Sequence, residues 1–490
     1  MVAGCPPNVL RPMLFLLQEK QMTSRRGLIA GASSGLLALF ASTGAAASTD
    51  QLVEAFGAIG DGRAKDTKAI QAAIDAASRL GGGRVVLSAG KTYVSGAIYL
   101  ASNVELHVSA GATLELSKNV ADFEDFGALI CAYEAENVSI TGTGRINGND
   151  MAFVTPRPDG GFAGGQTGMG KFDPEPPHNP QSGKGRPRVI YLVKSSRIVI
   201  ENVHIERAPT WTVHLLGCQD VRISGITIDN HLRVPNNDGL DIDHCRRVRV
   251  ENCNINCGDD GICFKTTAAF EGWGPCEDLT VVNCHVTSAS TAIKLGSAGP
   301  EPIRNVVVTG CTISGSNRGV GIQNRDGAIW ENIVFSNLVI ETEYHEPEWW
   351  GASEPIFITN LSRRAGQVRA GKVRNVMFAN IICRSEAGIY LYGQPGDELE
   401  NIVFDNVMVT IEKRNKVSGG FYDLRPSTAF PEVIKASIAA VHAEGVRGLS
   451  LRDVNIRYLG QRPDYMGSAL STVRTTGLYK ENFTVDEAPY

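Results

Sequence analysis

From Ile198 onward the chain repeats one short pattern, in which apolar and polar residues alternate, a single Asn, Gly or Asp interrupts at the fifth position, and the alternation then resumes. The units read I-V-I-E-N-V-H-I from Ile198, V-R-I-S-G-I-T-I from Val221, V-R-V-E-N-C-N-I from Val248 and L-T-V-V-N-C-H-V from Leu279. They continue V-V-V-T-G-C-T-I from Val306, I-V-F-S-N-L-V-I from Ile333, V-M-F-A-N-I-I from Val376, I-V-F-D-N-V-M-V from Ile402 and L-S-L-R-D-V-N-I from Leu449. Period-two alternation is strand chemistry. Asn, Gly and Asp are the residues that best tolerate a left-handed backbone, so each unit is predicted to be two short strands joined by a one-residue bend. Unit starts are separated by 23, 27, 31, 27, 27, 43, 26 and 47 residues, a solenoid spacing whose two widest intervals hold an extra turn or a loop.

A unit of this size cannot bury its inner face alone, so the units must stack. The expected fold is all-β, a parallel β-helix with Val, Ile, Leu and Cys ladders inside. A leucine-rich repeat would need a helix in every unit, and a propeller would need four strands per unit; neither pattern is present. Stacked Asn side chains are expected to satisfy backbone groups that the bends leave unpaired. The clear amphipathic helix, A-I-Q-A-A-I-D-A-A from Ala69 to Ala77, should plug the open N-terminal end, with Asp66 or Thr67 as its cap. The polar, Pro/Gly-rich stretch from Thr155 to Arg188 carries no strand signal and reads as a long surface loop.

Composition narrows the function classes. With 490 residues, 43% hydrophobic and 20% charged, 53 Gly and a formal net charge of -5, the chain is neither disordered nor collagenous nor built to bind nucleic acid. Length alone suggests about three domains, but the continuous repeat makes residues 48–490 one solenoid. Residues 1–47 read as an export signal: T-S-R-R at Thr23 to Arg26, a weakly apolar Gly/Ala/Ser-rich stretch, and Ala45-Ala46-Ala47 before Ser48. Paired Arg25-Arg26 ahead of so mild a segment resembles a twin-arginine signal, with Met22 as an alternative start. The expected destination is the periplasm or the exterior, with the twin-arginine export machinery as a partner and no membrane span once the signal is removed. Of 11 Cys, Cys5 precedes the signal. Cys253, Cys284 and Cys311 occupy positions that neighbouring units fill with Ile, Leu or Val, so they read as buried hydrophobes. Room is left for one bridge among residues such as Cys257, Cys263 and Cys276.

The chemistry concentrates in two acidic motifs on consecutive units, N-N-D-G-L-D-I-D at Asn236 to Asp243 and G-D-D-G-I-C-F-K at Gly258 to Lys265. Asp238 and Asp260 are 22 residues apart, close to one coil, so their carboxylates should lie on adjacent rungs about 4.8 Å apart. Crowding Asp238, Asp259 and Asp260 raises the proton affinity of at least one of them, which a general acid working near neutral pH requires. A solvated face rarely recurs at the solenoid period. A calcium loop would supply a ring of oxygen ligands that these motifs lack.

At these residues the chain resembles glycoside hydrolase family 28, the polygalacturonase-like right-handed β-helices. The opening A-F-G-A-I-G-D-G-R-A-K-D-T, the segment A-P-T-W-T-V-H from Ala208 to His214, Asn236-Asn237-Asp238 for the family's Asn-Thr-Asp and Gly258-Asp259-Asp260 for its Gly-Asp-Asp carry the likeness. The resemblance implies Asp259 as general acid, Asp238 and Asp260 as activators of water, inversion at the anomeric carbon, and a pectin-like polysaccharide or oligosaccharide as substrate. Two departures follow. Ser290-Thr291-Ala292 stands for Gly-His-Gly, and Gly321-Ile322-Gln323 stands for Arg-Ile-Lys. The carboxylate-binding cations are thus missing, and Lys294 and Arg325 are their candidate replacements. The remaining candidate substrate contacts are Asn236, Lys265, Gln323, His214 and the aromatic residues Trp211, Trp349 and Trp350, which offer faces for pyranose stacking. For His214 and His244 a structural hydrogen-bonding role competes with a functional one. No cofactor or metal signature is present. A polysaccharide lyase and a non-catalytic glycan-binding solenoid are the alternatives.

Overall fold

The nine sequence units stack in register. In the computed structural model, which describes residues 50–123, 127–156, 162–163, 186–345 and 350–486, Ile198 pairs with Val221, Val221 with Val248, Val248 with Leu279 and Leu279 with Val306. The column continues through Ile333, Val376, Ile402 and Leu449. The chain is a parallel β-helix. Two all-parallel arrays carry it, one of 24 strands and one of 12. Ile333 pairs directly with Val376 and Ile402 with Leu449, so both wide intervals contain loops and no hidden coil. Earlier rungs at Gly83–Leu87, Val104–Val108 and Glu136–Thr141 extend the solenoid N-terminally.

All nine bend residues have positive φ, from 51° at Asp453 to 65° at Gly310. The stacked side chains do not serve the backbone as expected. Bend N–H groups donate to carbonyls of the next rung, as Asn252 does to Val282 at 3.1 Å. The amides bond one another: Asn283 donates to Asn252 at 2.7 Å, Asn380 to Asn337 at 3.2 Å and Asn406 to Asn380 at 2.9 Å. The next rung supplies a backbone partner at the bends of Asn202, Gly225, Asn252, Asn283 and Gly310, which leaves amides such as those of Asn252 and Asn283 to form a ladder of their own.

Inside, Phe335, Phe378 and Phe404 stack with centroids 5.2 and 5.0 Å apart. The helix spans Thr67–Arg79 and buries Ala69, Ile70, Ala73, Ile74 and Ala77 against the first rungs. Neither expected cap holds it. The Asp66 carboxylate accepts from Ile59 and Gly60, and the Thr67 hydroxyl accepts from Gly96, which ties the helix start to neighbouring loops. Of the Thr155–Arg188 stretch, the described parts include a short antiparallel pair, Thr155–Pro156 with Phe162–Ala163, for which the sequence carries no signal. The 1–47 signal lies outside the described residues, and among those residues no helix is long and apolar enough to cross a membrane.

Ten cysteines, Cys131 to Cys383, are buried with free thiols. Cys253, Cys284 and Cys311 form one column, and Cys218, Cys245 and Cys276 a second, in which each thiol donates to a main-chain carbonyl of the rung below. A thiol reagent is therefore expected to find none of these ten in the native protein and all ten after denaturation; rapid labelling of several native thiols would contradict this packing.

Candidate active site

The site lies along the 12-stranded array, on the strands Val213–Leu216, Leu240–Asp243, Ile262–Lys265, Thr291–Gly296 and Arg318–Asn324. Asp238 and Asp260 stand at the bends just before two adjacent strands, and each is followed by glycine. The reason is close approach: a Cβ on Gly239 would lie 2.4 Å from the Gly261 carbonyl oxygen, and one on Gly261 2.4 Å from that of Ala292. The backbone ladder then sets the acids one above another, with Thr212 N–H donating to the Asp238 carbonyl and Gly239 N–H to that of Asp260, both at 2.9 Å.

Asp238, Asp259 and Asp260 are buried, and one carboxylate oxygen from each lies within 4.8 Å of the others. Burial first, and then the Asp260 charge, push the Asp259 carboxyl up to about 7, against the pull of Lys294 and Lys265. Burial and the Asp241 and Asp259 charges likewise raise Asp238. Asp260 is clamped: Lys294 Nζ donates to Oδ2 at 2.6 Å, and Ser290 Oγ to Oδ1 at 3.1 Å. Asn236 N–H donates to Asp259 Oδ2 at 3.3 Å, and the Ser288 hydroxyl donates to the Asp259 carbonyl.

Three residues that sequence reasoning passed over complete the cluster. Asp241 is fully buried and ion-paired to Lys265, whose ammonium also lies 3.9 Å from Asp238; burial pushes the Asp241 carboxyl up to about 6. Arg186 donates to Asn236 Oδ1 at 3.2 Å and faces Asp238 and Asp259, with burial lowering its guanidinium to about 9. Arg188 rests against the rings of Tyr191 and Trp211, at 4.8 and 5.1 Å from their centroids. Asp241 was findable from the sequence, because it sits inside an acidic motif one rung from a lysine. The two arginines stand at the end of a stretch with no periodicity to register them.

The remaining predicted contacts divide. Asn236, Lys265 and Lys294 gather at the acids. Trp211 is half-buried, with the Lys265 ammonium 4.1 Å from its ring centroid and the His214 ring edge-on at 4.8 Å. His214 is not a substrate contact: it is 1% exposed, stacked on Tyr191 and 3.4 Å from Asp243, and burial lowers its imidazole to about 4, keeping it neutral. His244, also buried, hydrogen-bonds the carbonyl oxygens of Gly274 and Thr267. Arg325 does not replace a missing cation, because its guanidinium is buried against Thr359 and the Pro426 and Leu424 carbonyls, away from the acids. Gln323 is buried, and its Oε1 has no hydrogen-bond partner among the described residues. Trp350 stands farther along the helix, where its carbonyl accepts from Asn317 and its ring lies 5.9 Å from Arg425. Trp349 lies outside the described residues. Around Trp350 an ionic network fixes two loops to the sheet: Arg318 forks onto Glu354 at 2.9 and 3.1 Å and donates to the Asp423 carbonyl, while Asp423 holds Arg425 and Gly351 N–H.

A family model described as Glycosyl hydrolases family 28 matches residues 84–419, more than half of the chain. The chain belongs to this family. A probable polygalacturonase from Vitis vinifera is 28% identical over 334 residues, which is 65% of this chain and 65% of that protein; the chain thus spans just under two thirds of that relative's length. Among solved structures, a hyperthermoactive exopolygalacturonase from Thermotoga maritima superposes with a TM-score of 0.61 at 23% identity, covering 74% of this chain and 87% of that one. A family 28 exopolygalacturonase from Yersinia enterocolitica gives 0.60 at 17% identity, covering 88% and 78%. Against the family 28 pattern, the two departures meet in space. Lys294 pairs in register with Gly321, and a Cβ on Gly321 would lie 2.9 Å from Thr291 Cγ2. A side chain at 321 would therefore have to displace the Thr291 methyl.

Proposed function

We propose that this protein is an exported glycoside hydrolase of pectin-type polysaccharides or their oligosaccharides, with residues 48–490 as its single catalytic unit. Asp259 gives its proton to the glycosidic oxygen as the bond to the anomeric carbon breaks. Asp238 and Asp260 hold a water and take its proton as its oxygen attacks that carbon, so one water is consumed per bond. The observation that supports this reading is the triple carboxylate cluster on adjacent rungs, with Asp259 keeping its proton to about 7. Residues 1–47 direct the chain to the periplasm or the exterior through the twin-arginine machinery.

Oxygens within 4.8 Å are closer than the roughly 6.5–9.5 Å of an inverting acid and base facing each other across a sugar. That rule concerns one acid and one base, whereas here two carboxylates share the water. Asp260, tied to Lys294 and Ser290, is also a poor nucleophile. Inversion is therefore the expected outcome.

Product analysis tests the reading on a pectin-fragment panel. Each cleavage should create a reducing end whose first anomer, followed by NMR, is inverted, with no unsaturated uronate. Activity should persist in a chelator, because Lys265, Lys294 and Arg186 crowd the acids with positive charge where a divalent ion would have to sit. Product absorbing in the ultraviolet, together with chelator sensitivity, would move the assignment to a lyase. A retained first anomer would make Asp238 a nucleophile.

A further inference from the structure

The outer face of the 24-stranded array changes character part-way along the solenoid. One outward column reads Val199, Arg222, Arg249 and Thr280 over the earlier rungs, then Val307, Val334, Met377 and Val403, before Ser450 makes it polar again. Around the next bend a second column, Val339, Ile382 and Met408, is apolar and exposed over the same rungs. The core does not require these residues, because inward positions of the same strands already hold Ile333, Phe335, Val376, Phe378, Ile402 and Phe404. A contiguous apolar patch on an otherwise polar face marks a surface that meets a partner.

Beside the first column, across one exposed bend residue, runs a column of alternating charge: Glu277, Arg304, Glu331, Arg374, Glu400 and Arg447. Within the chain these groups bridge neighbouring rungs, Arg304 to Glu277 at 2.7 Å and Arg374 to Glu331 at 2.6 Å.

The two columns have opposite symmetries about one point, midway between the rungs of Glu331 and Arg374. Read outward from that point, the apolar column is the same in kind both ways: Val334 and Met377, then Val307 and Val403, then Thr280 and Ser450. The charged column inverts, setting Glu331 against Arg374, Arg304 against Glu400 and Glu277 against Arg447. A face that covers itself through a two-fold axis needs both properties, since its residues must complement one another in exchange. When a second copy is laid on the face with its rung order reversed and the axis through this midpoint, apolar meets apolar and every Arg meets a Glu. An axis shifted by half a rung sets Arg374 on Arg374 and is disfavoured.

We infer that this face joins two copies of the chain into an antiparallel, two-fold dimer centred between Glu331 and Arg374. These two residues of both copies then close a square of four alternating charges at the edge of the apolar contact. Six rungs at ~4.8 Å and about six residues of strand at ~3.3 Å give each copy a flat footprint of roughly 500–600 Å². That is about 1,000 Å² in all, the lower bound for specific association, so the dimer should dissociate in the range of about 1–100 µM. The acids lie on the other array, so both clefts stay open, and the inference does not depend on the reaction they perform.

Sedimentation velocity on the full chain should show a concentration-dependent equilibrium between monomer and dimer. Glu331→Lys and Arg374→Glu each place like charges opposite one another, so each variant alone should dissociate at least about tenfold more readily. An equimolar mixture of the two should restore association, because every like-charge contact becomes an opposite pair in the mixed dimer. Circular dichroism checks that both variants fold. Register is read independently with Val307→Cys and Val403→Cys, which a short bis-maleimide should link in a mixture and in neither variant alone, where the two thiols stand three rungs, about 14 Å, apart. A wild-type chain that stays monomeric at about 300 µM, well above the expected range, overturns the inference, whatever else binds the face. So does a dimer unchanged by both charge variants, a mixture that remains dissociated, or linking in Val307→Cys alone.

Discussion

Asp259→Asn is expected to fold as the wild type does and to lose about 10²- to 10⁴-fold in kcat, the usual worth of a positioned general acid. The amide keeps the shape of the side chain and can still accept from Asn236 N–H at the position of Oδ2. It cannot give a proton to the departing oxygen. The same carboxyl sets the alkaline limb of the wild-type pH profile. Its proton affinity is raised by burial and by Asp260, so it stays protonated until about pH 7. Above that the acid form is depleted, and kcat/KM should fall tenfold per pH unit. Circular dichroism and unfolding curves check the fold, and steady-state rates check the chemistry. A variant within about threefold of wild-type kcat would remove Asp259 from the mechanism.

Glu354→Gln should destabilise the protein by about 3–5 kcal/mol, because it takes from the buried Arg318 guanidinium the carboxylate bonded to it and leaves only Asp423, already held by Arg425, to face it. Arg318 and Glu354 are each 1% exposed at the side chain. The guanidinium also lies 3.6 Å from the Phe357 ring centroid, so it has no route to water without breaking the sheet face. Replacing both partners together, Arg318→Met with Glu354→Leu, should recover only part of the loss, since the unpaired charge is gone but the Asp423 carbonyl and the Ala352 N–H lose their buried partners. The readout is the urea midpoint at constant m-value. A loss below about 1 kcal/mol in Glu354→Gln would show that water reaches Arg318 after all.

The solenoid was legible because its signal is local and repeated: nine units carry the same alternation and a bend residue at the same place, and each pairs with the next in register. The acids were legible for the same reason, being two motifs one coil apart. Their electrostatic partners were only partly so. Lys265 and Lys294 stand on strands, so their rung can be counted from sequence. Arg186 and Arg188 come at the end of a stretch whose length cannot be divided into rungs, and only the folded chain brings them to Asn236 and Trp211. Arg325 shows the opposite error. It lies near the expected place in sequence, but the strand delivers it to the carbonyls of residues 424 and 426, which belong to a loop about a hundred positions away. Side-chain direction at a strand end depends on what covers that end.

The two cysteine columns tie the molecule's history to its environment. Once folded, the described part of the chain offers an oxidant no accessible thiol, since its ten cysteines are buried and burial pushes residues such as Cys257 and Cys263 away from the reactive thiolate. Unfolded, the same ten can be joined in on the order of 10³ complete pairings. A bridge between thiols that belong on distant rungs would stop the coils from stacking. On the proposed export route the order of events decides the outcome: rung upon rung must close while the surroundings are reducing, before the solenoid meets an oxidising compartment.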